Sequence, residues 1–170
     1  MNKIIDFNIA ICGDRGSGKT AFIERLFNGE FIKKYTSTKE ITSKTISYYV
    51  ENQKVNLNCH EIPELCLDII NIRDYDAIIV ICDGTYRPSR TYARKVCVKF
   101  VDAIKIVCFN KCDCVDFKRN HIINFDDCYR LNYSVKSCYN YDKPFLYIVK
   151  KLLKNDNISL MYESEYDKRT

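Results

Sequence analysis

The sequence lacks three features that direct proteins to membranes or to export. No apolar run approaches the roughly 20 residues that a membrane-spanning helix needs. The N-terminus has no extended apolar segment preceded by positive charge, so we expect no secretory signal. No cysteine stands four residues from the C-terminus, which reads Tyr166-Asp167-Lys168-Arg169-Thr170, so we also expect no prenyl anchor.

The ten cysteines include no CxxC pair. Neither of the two histidines stands at ligand spacing from the close pair Cys112 and Cys114, which argues against a zinc site. Cys12, Cys82 and Cys108 lie in apolar runs that are typical of buried strands, where a thiol packs as a small hydrophobe. We therefore expect free thiols and a reducing, intracellular environment.

The chain has no concentrated basic tract, although its formal net charge is +5. Lysine and arginine are spread along the whole length, which favours solvated helix faces over a nucleic-acid contact surface. We therefore expect no direct nucleic-acid partner. With 170 residues, 46% of them hydrophobic, the chain is long enough for one globular domain that buries about two-thirds of its unfolded surface.

Apolar runs alternate with polar stretches along the chain. The runs that predict strands are residues 4–12, 45–50, 55–59, 77–83, 104–110 and 129–134. AIIVICD and IKIVCFN are nearly continuous hydrophobes, which is typical of strands covered on both faces. The second and third runs flank the tetrapeptide ENQK, a pattern that favours an antiparallel hairpin at an edge of the sheet.

Amphipathic segments between these runs predict helices. TAFIERLFNGEF, from Thr20, has one apolar face and favours an end at Asn28, and KPFLYIVKKLLK, from Lys143, carries an apolar stripe at helical spacing. The alternation predicts a three-layer α/β fold with a mostly parallel, six-stranded sheet and ligands at the carboxyl ends of the strands. We expect one domain over residues 1–155 and a short polar C-terminal tail over residues 156–170.

Residues 13–20, GDRGSGKT, stand between the first predicted strand and the first predicted helix and match the phosphate-loop pattern GxxxxGK[ST]. Glycines leave the loop amides free to wrap around phosphates, and the helix adds its positive N-terminal end. Lys19 is predicted to neutralise the β- and γ-phosphates and the Thr20 hydroxyl to bind Mg²⁺. The sequence therefore predicts a nucleotide-binding site.

A second motif, NKCD at residues 110–113, ends the fifth predicted strand. The two carboxylate oxygens of Asp113 can accept hydrogen bonds from the N1–H and the exocyclic amine of guanine together. Adenine has no N1–H and would leave this group unpaired, at a cost of about 1–3 kcal/mol. Asn110 is predicted to donate to N7, the stem of Lys111 to lie along the base, and backbone amides of the SVK sequence at 134–136 to bind the guanine carbonyl.

These motifs, in this order, resemble those of the small GTPases of the Ras superfamily and, within it, of Ran. Three stretches carry the resemblance: GDRGSGKTAFIERLFNGEFIKKYTST, IVCFNKCD and YSVKSCYNYDKPFLYIVKKLL, the last of which looks like the end of the Ran core. The resemblance covers about residues 5–160. It implies a phosphate-loop GTPase fold with helices on both faces of the sheet, and GTP or GDP with Mg²⁺ as the bound cofactors.

The resemblance also implies roles for residues outside the two motifs. Phe31 is expected to flank the base, and Thr38 is expected to contact both Mg²⁺ and the γ-phosphate from switch I, a segment that responds to that phosphate. The metal ligands are then Thr20 and Thr38. The full set of predicted nucleotide contacts is Asp14, Arg15, Gly16, Ser17, Gly18, Lys19, Thr20, Ala21, Phe31, Tyr35, Thr38, Asn110, Lys111, Asp113, Ser134, Val135 and Lys136.

One segment departs from the superfamily pattern Asp-x-x-Gly-Gln, called switch II, in which Asp holds Mg²⁺ through water, the Gly amide meets the γ-phosphate and Gln orients the attacking water. Here the sequence reads NCHEIPEL at residues 58–65. In the alignment that we expect, His60 replaces Asp, Pro63 replaces Gly and Glu64 replaces Gln. Imidazole is a poor ligand for Mg²⁺ and proline has no N–H. A shifted alignment brings Glu61 toward the metal, but no alignment restores the pattern.

Arg15 is a second departure, because small GTPases usually have glycine at this position of the loop. We expect its side chain to crowd the catalytic water and to inhibit hydrolysis. Two alternatives stay open, a built-in cationic finger for the γ-phosphate and a side chain in solvent. No residue is assigned a confident catalytic role, and GTP hydrolysis is expected to be weak or absent.

Three functions follow from this pattern. The first is a Ran-like protein that binds guanine nucleotide, hydrolyses it poorly and acts through protein partners such as nuclear-transport receptors or Ran regulators. The second is an active GTPase switch, and the third is a scaffold that binds no nucleotide. A phosphate-loop kinase or ATPase is disfavoured by the predicted guanine pocket. We expect a monomer in the cytoplasm and nucleus.

Overall fold

The structure is a computed structural model that describes residues 4–29, 31, 36–51, 53–117 and 128–162. Within these residues seven strands form one sheet: β1 (Ile4–Cys12), β2 (Thr42–Val50), β3 (Gln53–Glu61), β4 (Ala77–Asp83), β5 (Ile104–Asn110), β6 (Tyr129–Asn132) and β7 (Met161–Tyr162). The helices are α1 (Lys19–Asn28), α2 (Arg87–Lys99) and α3 (Lys143–Leu153), and two 3₁₀ turns cover Glu64–Cys66 and Ile72–Asp74.

The strands are ordered β6-β5-β4-β1-β3-β2-β7 across the sheet. The pairs β1–β3, β1–β4, β4–β5 and β5–β6 are parallel, whereas β2 runs antiparallel to β3 and to β7. This confirms the predicted α/β fold with its mostly parallel sheet and its antiparallel β2–β3 hairpin, although β7 and not β2 forms the edge on that side. The six predicted strands are present, and β7 is an additional seventh.

Two apolar clusters, one on each face of the sheet, produce the three layers. On one face, Phe22 of α1 and Phe145 and Ile148 of α3 pack against strand residues such as Ile9. On the other face, the buried side of α2 packs against the alternate residues of β1 and β4. Every residue of β4 is buried, as expected for a central strand that is covered on both faces.

Helix α1 ends where the sequence predicts. Gly29 has a φ of 70° and its N–H donates to the carbonyl of Arg25, which closes the last turn. Helix α2 carries a much weaker sequence signal, because its buried face includes Ser89 and Arg90 beside Ala93 and Val96. Polar residues on a buried face blur the apolar periodicity from which a helix is read.

The segment that follows α3 also contributes to the sheet. Ile158 is almost completely buried within the cluster formed by α1 and α3, and β7 pairs with Tyr48 and Tyr49 of β2. Part of the predicted polar tail therefore packs on the domain. Residues 163–170 lie outside the described residues, and the boundary after residue 155 stays a prediction.

The ten cysteines, all of them in the described part of the chain, form no disulfide. Burial raises the pKa of Cys12 and of Cys82 to about 12, and that of Cys108 higher still, so these thiols stay protonated and pack as small apolar groups. Within the residues that the structure describes, no helix has both the length and the apolar character to cross a membrane.

Candidate functional site

A cleft of about 780 Å³ opens at the carboxyl ends of the parallel strands. It unites the phosphate-loop motif, the NKCD motif and the residues that follow β6. The predicted nucleotide contacts that line it are Arg15, Gly16, Gly18, Lys19, Thr20, Ala21, Phe31, Thr38, Asn110, Lys111, Asp113, Val135 and Lys136. The predicted contact Tyr35 lies outside the described residues.

Three other predicted contacts, Asp14, Ser17 and Ser134, are buried and do not belong to this lining. The carboxylate of Asp14 accepts a hydrogen bond from the hydroxyl of Ser89 in α2, and burial raises the pKa of Asp14. The hydroxyl of Ser134 donates to Oδ1 of Asp113 at 2.6 Å. Asp14 and Ser134 therefore do not line the cleft, but their hydrogen bonds position the phosphate loop and Asp113, which do.

The phosphate loop depends on glycine at two neighbouring turns. Gly16 has a φ of 78° and Gly18 a φ of 106°, which residues with side chains rarely adopt. A Cβ at Gly16 would meet open space, whereas a Cβ at Gly18 would lie 2.3 Å from Nδ2 of Asn110. The loop and the end of β5 therefore approach each other as closely as glycine permits.

Lys19 is the buried cation of the loop. Its ammonium donates to the carbonyls of Gly13 at 2.8 Å and of Asp14 at 2.9 Å. Burial lowers the pKa of Lys19, while the nearby carboxylates of Glu61 and Asp14 act in the opposite direction. The loop thus holds a desolvated ammonium group at its centre, which is suited to an anionic ligand.

Asn110 joins three segments of the cleft. Its Nδ2 donates to the carbonyl of Ser17 at 3.0 Å, and its Oδ1 accepts from the backbone N–H groups of Lys111 at 2.8 Å and of Val135 at 3.2 Å. The side chain therefore positions the phosphate loop and the segment after β6. Its predicted contact with N7 of a base stays a prediction.

Lys111 crosses the cleft from the end of β5 toward the phosphate loop. Its ammonium lies 2.5 Å from Oδ2 of Asp83 and 3.2 Å from the carbonyl of Gly16. Burial acts to raise the pKa of Asp83, but hydrogen bonds from Lys111 and Thr85 outweigh it, so this pKa is lowered. The ion pair fixes the lysine stem across the cleft, where it can lie along a base.

Three oxygen-bearing side chains meet at the other end of the phosphate loop. Oε1 of Glu61 accepts hydrogen bonds from the hydroxyls of Thr20 at 2.6 Å and Thr38 at 3.0 Å, and the two hydroxyls are 3.1 Å apart. Glu61 is only 3% exposed. One carboxylate and two hydroxyls form a hard, oxygen-only donor set, which fits Mg²⁺ when phosphate oxygens and water complete the shell.

The expected alignment of His60 with the metal-binding aspartate is wrong. Side chains alternate between faces along β3, and Val55, Leu57, Cys59 and Glu61 occupy the buried face toward α1. His60 therefore points to the opposite face, where its Nδ1 lies 2.7 Å from the Ser43 hydroxyl. A shift of one residue transfers a side chain to the other face, so Glu61 reaches the two threonines.

With Glu61 at the aspartate position, the residues that follow it also match different positions of the pattern. Counting from Glu61 through the pattern Asp-x-x-Gly-Gln, Glu64 takes the glycine position and Leu65, 90% exposed, takes the glutamine position. In this alignment Glu64 no longer matches the glutamine, and Pro63 no longer matches the glycine. Instead, Oε2 of Glu64 accepts a hydrogen bond from the backbone N–H of Arg15 at 3.1 Å.

A comparison with known protein families matches the first part of the chain. The model of the Ras family matches residues 8–63, about a third of the chain, from β1 through the phosphate loop and β3 to Pro63. The match supports a GTP-binding small GTPase of the Ras superfamily. The sheet and the three helices are consistent with the phosphate-loop GTPase fold, whose members bind guanine nucleotide, generally with Mg²⁺.

Two features of the site carry sequence signals that a motif search does not use. Glu61 continues the apolar positions of β3 at a spacing of two, which predicts a buried carboxylate at the end of that strand. Asp83 ends the wholly buried β4, beside the end of β5. A charged residue at the end of such a strand indicates a functional edge of the sheet.

Replacement of the two loop glycines tests this geometry. We expect Gly16→Ala to cost about 1–2 kcal/mol of unfolding free energy, because alanine is strained at positive φ. Gly18→Ala should cost clearly more, since its methyl group also displaces the side chain of Asn110. Urea denaturation of both variants measures the difference. Equal losses would show that the close approach at Gly18 does not stabilise the fold.

Proposed function

We propose that this chain is a Ran-like, guanine-nucleotide-binding protein that hydrolyses GTP slowly or not at all. It acts through contacts with protein partners in nucleocytoplasmic transport, in the cytoplasm and nucleus. One observation carries the nucleotide part of the proposal: the phosphate loop and the NKCD motif, distant in sequence, share one cleft through the side chain of Asn110.

Asp113 supports guanine as the base. Its Oδ1 accepts from the Ser134 hydroxyl at 2.6 Å, and its Oδ2 lies 3.8 Å from the ammonium of Lys136. Held on both oxygens, the carboxylate keeps lone pairs for the two N–H groups that guanine presents side by side. Charge-assisted hydrogen bonds of this kind are about twice as strong as neutral ones, so they can decide between guanine and adenine.

Thr20, Thr38 and Glu61 would hold Mg²⁺ in this proposal. A bound Mg²⁺ supplies charge neutralisation between the protein carboxylate and the phosphates of the nucleotide. Glutamate is one methylene longer than the aspartate of the superfamily pattern. The ligand atom is therefore still a carboxylate oxygen, but it lies farther from the backbone of β3.

Slow hydrolysis follows from the corrected alignment of switch II. Leu65, at the glutamine position, has no group that can orient a water molecule by a hydrogen bond. Leu65 is apolar and 90% exposed, so its side chain offers no polar group at that position. Arg15, at the usual glycine position of the loop, adds bulk to the same region. Both changes act against the attack of water on a γ-phosphate.

Protein contacts as the mode of action are supported by apolar side chains that are exposed near the cleft. Leu65 and Ile69 follow β3, and both are largely exposed. Neighbouring exposed apolar groups on a soluble domain mark surfaces that partners cover. The resemblance of residues 133–153 to the end of the Ran core supports nuclear-transport receptors or Ran regulators as these partners.

The choice of base is tested with Asp113. We expect the wild-type protein to bind a fluorescent GDP and to lose it to excess GDP but not to excess ADP. Asp113→Ala should weaken GDP binding by at least about tenfold, since two charge-assisted hydrogen bonds are removed. The exposed Asp116→Ala is the matched control and should bind as the wild type does. Equal competition by ADP would contradict a guanine pocket.

The metal site is tested with a pair of neighbouring residues. Release of bound fluorescent GDP should accelerate when EDTA removes Mg²⁺ from the wild-type protein. Glu61→Ala should reduce this acceleration by at least about tenfold, because the carboxylate partner of the metal is lost. His60→Ala, on the opposite face of β3, should keep the full effect of EDTA. The reverse result would restore the alignment that places His60 at the metal.

Hydrolysis is tested by single-turnover release of phosphate from bound GTP. We expect a rate constant below about 10⁻⁴ s⁻¹, slower than the intrinsic rate of a small GTPase that has its glutamine. Leu65→Gln should raise the rate, because an amide at that position can orient water. A faster wild-type rate would instead favour an active GTPase switch.

A further inference from the structure

The carboxylate of Glu64 accepts a hydrogen bond from a backbone N–H group of the phosphate loop. Its Oε2 accepts the backbone N–H of Arg15 at 3.1 Å. Backbone N–H groups of a phosphate loop are the donors that surround a phosphate. A phosphate oxygen that needs this N–H must therefore displace the carboxylate or share the donor with it.

The backbone of Glu64 is fixed by its neighbours. Ile62 is fully buried and its N–H donates to the carbonyl of Ile11 in β1 at 2.9 Å. Leu67, three residues later, is also buried, and its carbonyl accepts from the ammonium of Lys99 at 2.9 Å. Because buried residues hold both sides of the 3₁₀ turn, the side chain of Glu64 is directed to the loop by the fold.

The position of Arg15 in the loop shows which phosphate this contact concerns. Asn110 and Lys111, which belong to the predicted base pocket, contact the carbonyls of Ser17 and Gly16. The Arg15 N–H instead meets Glu64, in the segment that follows β3. A nucleotide whose base lies at Asp113 thus reaches Arg15 and Glu64 with the phosphate farthest from that base.

The charges in this part of the cleft also disfavour a third phosphate. The carboxylate of Glu64 is close enough to Lys19 and to Asp14 to act on the pKa of each. Lys19 also balances the buried carboxylate of Glu61. A terminal phosphate adds negative charge beside Glu64, where the carboxylates of Glu61, Asp14 and Glu64 already act on the same buried ammonium group.

We propose that Glu64 makes this site selective for a guanosine diphosphate over a triphosphate, because its carboxylate takes the Arg15 N–H and repels the third phosphate. The proposal rests on the proposed guanine-nucleotide function and names the ligand class of the same site. Glu64 acts as a specificity-determining residue, and the loop amides and Lys19 are left to the two inner phosphates.

The test is competition of GDP and of GTP against a fluorescent GDP, with excess Mg²⁺ and within the time before GTP is hydrolysed. We expect the wild-type protein to bind GDP at least about tenfold more tightly than GTP. Glu64→Gln keeps the size of the side chain and removes its charge. This variant should gain at least about tenfold in GTP affinity, while its GDP affinity changes by less than about threefold.

Glu51→Gln is the matched control, because Glu51 is exposed in the β2–β3 turn at the opposite end of these strands. It should keep the wild-type preference. Equal affinities of the wild-type protein for GDP and GTP, or an unchanged preference in Glu64→Gln, would overturn the role of Glu64 and leave guanine binding intact. Binding of neither nucleotide to the wild-type protein would overturn the proposed function, and this inference with it.

Discussion

The candidate site depends on the hydrogen bonds of the Asn110 carboxamide. This carboxamide donates to the carbonyl of Ser17 and accepts from the amides of Lys111 and Val135, so one side chain ties the phosphate loop to the base side of the cleft. Each of these backbone groups is buried or half-buried, and a buried polar group without a partner costs free energy. The same contact requires glycine at position 18, where no larger residue leaves room for the amide.

Around this framework, the carboxylates of Glu61, Asp83 and Glu64 lie in or beside the cleft. Glu61 accepts hydrogen bonds from two hydroxyls, Asp83 forms an ion pair with Lys111, and Glu64 accepts a hydrogen bond from a loop amide. In the proposed site Mg²⁺ accounts for the first carboxylate, and the second fixes the stem of Lys111. The third accepts a hydrogen bond from the loop amide of Arg15, and in the proposed site its charge bears on the number of phosphates that the loop accepts.

Much of the fold is predictable from the sequence, because β1, β4 and β5 are strands whose apolar runs end where the strands end. The phosphate loop and the NKCD motif are predictable for the same reason, as both follow such strands. Glu61 is harder to predict, because motif matching aligns residues by type whereas the pleat of β3 assigns them to faces. The three contacts of Asn110 depend on the packing of distant loops, and no local pattern encodes them.

The last described strand has a consequence for how the chain reaches this structure. β7 pairs residues 161–162 with residues 48–49, and Ile158 is buried in the core cluster that also contains residues of α1 and α3. One end of the outer edge of β2 is therefore covered by a segment that leaves the ribosome more than a hundred residues after it. Closing so long a loop is slow. Until then the backbone groups at this end of β2 are open to pairing with other chains, so association competes with folding during that interval.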